Sequence, residues 1–82
     1  MHTMHAQAAA LAGMLAAATG SKPRSEETDR GIRVEADLPD QLSPTSRTAI
    51  LTALAKADRY GHARTDSSDT VWAELFNRGA EQ

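Results

Sequence analysis

The chain has no cysteine, and tryptophan, tyrosine and phenylalanine each occur only once in its 82 residues. Without cysteine, neither a disulfide nor a thiolate metal site can hold the fold together. The stability of so short a domain must therefore come from packing or from a partner chain. Eleven acidic and nine basic residues give a formal net charge of −2. That balance argues against a strongly basic nucleic-acid-binding protein.

Sequence signatures of enzymes are also missing. The chain contains no glycine-rich phosphate loop, no His/Cys cluster and no nucleophile elbow. His2 and His5 fall on one helical turn, but no cysteine or nearby carboxylate completes a metal site there. The sequence therefore predicts a non-catalytic protein with no metal, no cofactor and no small-molecule substrate.

Charged residues are absent from the first twenty positions. The apolar residues of this segment recur at spacings of three and four: Met4, Ala8, Leu11, Leu15 and Ala18. This stripe predicts an alanine-rich amphipathic helix over residues 3–19, with Thr3 as its N-cap and Gly20 as its end. A signal peptide would start with positive charge, and a membrane span would need about 20 apolar residues. We therefore expect a cytoplasmic protein that has no membrane partner.

The composition divides the remaining chain into a predicted polar linker over residues 21–30, a β-α-β-β domain over residues 31–77 and a frayed tail over residues 78–82. Residues 32–38 alternate apolar and charged side chains, which predicts a strand with one solvent-exposed face. Ser43 and Pro44 begin a predicted helix that runs to Tyr60, just before Gly61. His62 is expected to cap that helix end.

Residues 62–65 and 70–76 read as a hairpin around an Asp-Ser-Ser-Asp turn. The predicted fold class is α+β, with the order α-β-α-β-β and a three-stranded, mostly antiparallel sheet whose central strand is 70–76. We expect the second helix to cover the sheet face that carries Val71, Ala73 and Leu75. The N-terminal helix is expected to cover the other face or to reach a neighbouring chain.

Trp72 and Phe76 fall on the sheet face opposite the second helix, beside the polar residues of strand 32–38. Either they form a minor core under the N-terminal helix, or they anchor a partner. The predicted partner interface consists of Met4, Leu11, Leu15, Trp72 and Phe76. It indicates an interaction or assembly module, of bacterial, phage or mobile-element origin. Because the linker is long enough for the helix to be exchanged between protomers, a homo-oligomer is expected.

The alternative is a DNA-binding regulator. A helix followed by a hairpin resembles the recognition helix and wing of winged-helix proteins, although the four residues 39–42 leave no room for the positioning helix of that family. The resemblance implies nucleic-acid contacts from the polar helix face and the hairpin. The candidate residues are Thr48, Thr52, Lys56, Arg59 and Arg64.

Overall fold

The computed structural model describes residues 3–77, apart from the side chain of Thr3, and the predicted tail at 78–82 and His2 lie outside these residues. The elements are α1 (Thr3–Thr19), β1 (Arg24–Glu27), β2 (Gly31–Asp37), α2 (Pro44–Leu54), β3 (Arg59–Arg64) and β4 (Asp69–Phe76). The four strands form one antiparallel sheet in the order β1-β2-β4-β3. The α+β class, the two helices and the inner position of the last strand are therefore confirmed.

Strand β1 lies inside the segment predicted to be a linker, so the prediction of three strands in the order α-β-α-β-β is wrong. The four residues of β1 are all exposed, and an element with no apolar residue gives no periodic signal. It forms because a tight turn returns the chain onto β2. In that turn the Thr28 N–H donates to the Gly31 carbonyl at 2.7 Å. The Gly31 N–H donates to Thr28 Oγ1 at 3.1 Å.

Helix α2 starts as predicted but ends at Leu54, six residues before the predicted end at Tyr60. Ser43 is the N-cap, because its Oγ accepts a hydrogen bond from the Ser46 N–H at 3.0 Å, and Pro44 occupies the first helical turn. Arg59 and Tyr60 belong instead to β3, where they pair with β4. At Arg59 and Tyr60, sheet pairing thus outweighs the helical pattern of the sequence.

The hydrophobic core lies between one sheet face and both helices. Its twelve buried residues are at most 5% exposed: Ala8, Leu11 and Leu15 from α1, Ile32, Val34 and Ala36 from β2, Ile50, Ala53 and Leu54 from α2, and Val71, Ala73 and Leu75 from β4. Helix α2 covers the predicted face. The placement of α1 on the other face or on a neighbouring chain is wrong, since α1 packs beside α2 and across β2. Small side chains such as Ala8 and Ala53 let two helices share the face of a narrow sheet.

Candidate functional site

The sheet face that points away from the helices carries the candidate site, and we name it the open face. In an antiparallel sheet, directly paired residues project to the same side, so the strand register assigns its members. They are Arg24 and Glu26 of β1, Gly31, Arg33, Glu35 and Asp37 of β2, Arg59, Gly61 and Ala63 of β3, and Thr70, Trp72, Glu74 and Phe76 of β4. Within residues 3–77, no helix or strand lies over this face.

Trp72 is the largest side chain of the open face, and it is half-buried there. Its indole lies over the backbone of Gly61, its direct cross-strand neighbour, so closely that a Cβ at position 61 would overlap the ring. Two guanidinium groups from the strands on either side also contact the ring. That of Arg33 lies 4.5 Å from a ring centroid of the indole, and that of Arg59 lies 5.6 Å away. Such cation–π contacts hold the indole in a defined orientation.

Ion pairs surround Trp72 on the open face. Arg33 Nε donates to Glu35 at 2.7 Å and Arg33 Nη1 donates to Glu74 at 3.2 Å, while Arg59 lies 3.8 Å from Glu74. At the β1 edge, Arg24 pairs with Asp37 at 3.2 Å and with Glu35 at 3.5 Å. The face is therefore a network of paired charges around one aromatic ring.

The electrostatics of this network favour ionised carboxylates. Hydrogen bonding from Arg33 lowers the pKa of Glu35, and hydrogen bonding from Arg24 lowers the pKa of Asp37. The same contact with Glu35 raises the pKa of Arg33. A general acid at neutral pH needs a raised carboxyl pKa, so these carboxylates are suited to charge pairing and not to proton donation.

An open cleft of about 360 Å³ lies at one end of the face. Thr28, Asp29, Arg30, Arg59 and Glu74 line it. The Arg30 guanidinium lies 5.9 Å from the centroid of the Phe76 ring, so this aromatic ring also has an arginine over it. Two cations and two carboxylates balance each other here, and the cleft presents no net charge to an ionic ligand.

The predicted partner interface is divided between the core and the open face. Leu11 is 3% exposed and Leu15 is fully buried in the core of the same chain, so neither is available at a surface. Met4 is half-buried and packs against that core. Trp72 and Phe76 are half-buried on the open face, beside the charged residues of β2, as the alternation indicates.

The sequence predicts Arg59 only as a nucleic-acid contact and Arg33 only as a polar residue beside Trp72, so it did not identify their contacts with the indole. Arg33 lies in β2, at one of the alternating positions that share a sheet face with Trp72. From the sequence, an arginine at such a position can be expected to stack on the indole. Arg59 gave no such signal, because it follows a helical pattern and its strand forms through pairing with β4.

The five candidate nucleic-acid contacts do not form one surface. Thr48 and Thr52 are exposed on α2, and Lys56 is exposed in the turn that follows. Arg59 and Arg64 lie at positions of opposite parity in β3, so they project to opposite sides of the sheet. Only Arg59 belongs to the open face.

Arg64 belongs instead to a small cluster on the helix side of the sheet, where its Nη2 lies 3.3 Å from Asp69 Oδ2 and His62 also bonds Asp69. The prediction that His62 caps a helix is wrong, because His62 lies inside β3. A hydrogen bond from His62 lowers the pKa of Asp69. In the part of the chain that the structure describes, no group of three or more metal-ligating residues is placed to hold an ion.

Comparison with protein-family models, with curated proteins and with solved structures finds no match to this chain. Neither helix in residues 3–77 is long and apolar enough to cross a membrane.

Proposed function

We propose that this chain is a non-catalytic protein-interaction module that binds its partner through the open face. One observation carries the proposal: Trp72 sits half-buried on a sheet face that no helix or strand of residues 3–77 covers, and Gly61, Arg33 and Arg59 fix its orientation. Tryptophan and arginine are among the residues most enriched in interface hot spots. A side chain already held in place loses little conformational entropy on binding.

The charges of the open face favour a protein partner over a nucleic acid. Binding to a phosphate backbone requires an excess of positive charge, whereas Arg24, Arg33 and Arg59 are each paired with carboxylates of the same face. The winged-helix alternative gains no support either, because its predicted contacts are divided between opposite sides of the sheet.

Photo-crosslinking from single positions tests this function. A photoreactive residue replaces Ala63, which is exposed on the open face, and in a second variant it replaces Thr52, which is exposed on α2. In cells that naturally contain the gene, we expect adducts of defined mass from position 63 and none from position 52. Adding Trp72→Ala should remove the adduct, whereas Leu51→Ala, at a side chain that is 58% exposed on α2, should leave it unchanged.

Adducts formed only from position 52, or from neither position, would contradict a binding role for the open face. Adducts from position 63 that survive Trp72→Ala would place binding on this side of the sheet but would remove Trp72 from it.

A further inference from the structure

Four charged residues cross the open face in one line, one from each strand. Glu26 of β1 is directly opposite Arg33 of β2, Arg33 is opposite Glu74 of β4, and Glu74 is opposite Arg59 of β3. From one sheet edge to the other, the charges in this row run negative, positive, negative, positive. The row is therefore antisymmetric about its midpoint, which lies between β2 and β4.

From this pattern we propose that the partner of the open face is a second copy of this chain, packed face to face about a two-fold axis that runs parallel to the strands between β2 and β4. The inference rests on the proposed function, because it names the partner of the same surface. Such an axis places β1 of one copy over β3 of the other, and β2 over β4. Glu26 then faces Arg59 of the second copy, and Arg33 faces Glu74 of the second copy.

This symmetry gives four contacts of opposite charge along the row and none of like charge. A row of one sign, or one with the signs arranged symmetrically, would place like charges against each other and oppose the same packing. A uniformly acidic or basic partner would meet like charge at half of the row. The net charge of −2 also leaves little long-range repulsion between two copies.

The aromatic ring takes a central place in this arrangement. Strand β4 lies next to the proposed axis, so Trp72 of each copy falls near the middle of the interface, where hot-spot residues concentrate. Two sheets packed in this way belong to the aligned class, with layers about 10 Å apart. Isologous dimers of this kind are the commonest oligomers.

The size of the face sets the expected strength of the dimer. Four strands of four to eight residues, about 4.8 Å apart, present a face on the order of 400 Å². A standard interface buries about 800 Å² on each partner. We therefore expect a reversible dimer that dissociates between about 1 μM and about 1 mM protein.

Sedimentation equilibrium of the full chain measures this association directly. The average mass should rise towards twice the chain mass with concentration. Over the same range the emission of Trp72, the sole tryptophan, should shift to shorter wavelength as the indole leaves water. A constant monomer mass up to about 1 mM would overturn the inference.

Charge reversal identifies the face. Arg59→Glu alone and Glu26→Arg alone each place two like-charged pairs in the dimer, so each should weaken association by about tenfold or more. In an equimolar mixture of these two variants every facing pair is again of opposite sign, so the dimer should return. A chain that carries both substitutions should dimerise for the same reason.

The matched control is Arg47→Glu, the same change of charge at an exposed position on α2, and it should leave the dimer unchanged. Thermal unfolding checks that each variant is folded. If Arg59→Glu does not fold, Arg59→Gln replaces it, with partial weakening as the expected result. The inference would be overturned if the single charge-reversal variants dimerised as strongly as the parent chain. It would also be overturned if the equimolar mixture of Arg59→Glu and Glu26→Arg stayed monomeric.

The experiments can reject self-association without rejecting the proposed function. A monomeric chain that still crosslinks to a different protein from position 63 retains its interaction role and loses self-association. A crosslinked species of twice the chain mass supports both.

Discussion

The indole of Trp72 on β4 lies over the backbone of Gly61 on β3, and only a residue without a Cβ leaves room for it. The arrangement has two consequences. The ring shields a glycine that would otherwise weaken an edge strand, as aromatic residues do opposite glycine in other sheets. The glycine in turn gives the ring a flat base, so that the indole keeps one orientation on a face that remains open.

Gly61→Ala should displace the indole from this position. The new Cβ would overlap the ring, which must rotate away from the Arg33 and Arg59 guanidinium groups. We expect a loss of about 1–2 kcal/mol in the free energy of unfolding and a shift of tryptophan emission to longer wavelength. Urea denaturation and fluorescence measure the two effects.

Gly13→Ala is the matched control for that substitution. Gly13 is exposed within α1, and apart from its chain neighbours and the backbone of its own helix no atom lies within 4 Å of the place where its Cβ would be. Since alanine is the better helix former, the free energy of unfolding should rise by up to about 1 kcal/mol, with no change in emission. Equal effects of the two substitutions would show that the indole does not rest on Gly61.

The sequence predicts most of the core but only part of the site. The alternation of β2 and β4, the Ser43-Pro44 start of α2 and the apolar stripe of α1 all carry information that a single segment contains, and all are confirmed. Strand β1 and the start of β3 are different, because no apolar residue marks β1 and residues 55–60 follow a helical pattern. Both elements form through pairing with a neighbouring strand, which lies elsewhere in the sequence.

The position of α1 could not be read from its own segment for the same reason. Its stripe shows which residues are buried but not which sheet face buries them. Trp72 and Phe76 are large and apolar, which favours a covered second face, and yet the arginines of β2 and β3 cover the indole instead. The methylene groups and planar guanidinium of arginine make it a covering for an aromatic ring as well as a charge.

Leu15→Ala tests whether α1 belongs to the core of its own chain. Leu15 is fully buried among residues of β2, β4 and α2, so its truncation should lower the free energy of unfolding by about 2–5 kcal/mol. Leu51→Ala removes the same atoms from a side chain that is 58% exposed, and it should change stability by less than about 0.5 kcal/mol. Urea denaturation at a low protein concentration, at which the proposed dimer would dissociate, provides the comparison. If Leu15→Ala left the free energy of unfolding unchanged, α1 would have to pack elsewhere.

The pH dependence of stability should reveal the ion pair between Arg33 and Glu35. The pKa of Glu35 is lowered from its ordinary value of 4.5 by the hydrogen bond from Arg33. Its contribution to stability is therefore fully present above pH 4.5 and is lost as the pH falls through the lower pKa of the folded state. Because the Glu35 side chain is 33% exposed, the contribution should be no more than about 1 kcal/mol.

Glu35→Gln measures that contribution. The variant should be less stable than the parent chain at pH 7, and the difference should shrink in acid, where the parent carboxylate is protonated too. Urea denaturation at several pH values gives both curves. A difference that stays constant down to pH values well below 4.5 would assign the effect to packing and not to charge.

Arg59 and Arg64 provide the sharpest test of the open face, because they belong to the same strand and project to opposite sides of the sheet. Arg59→Ala removes a guanidinium from the Trp72 ring, so it should shift tryptophan emission to longer wavelength and weaken binding at the open face. Arg64→Ala disturbs only the contact with Asp69 on the other side, so emission and binding should stay as they are. Fluorescence and sedimentation of the two variants make the comparison. A DNA-binding surface of the winged-helix type would give another result, because both substitutions would then reduce DNA affinity and each would lower the salt dependence by about one phosphate contact.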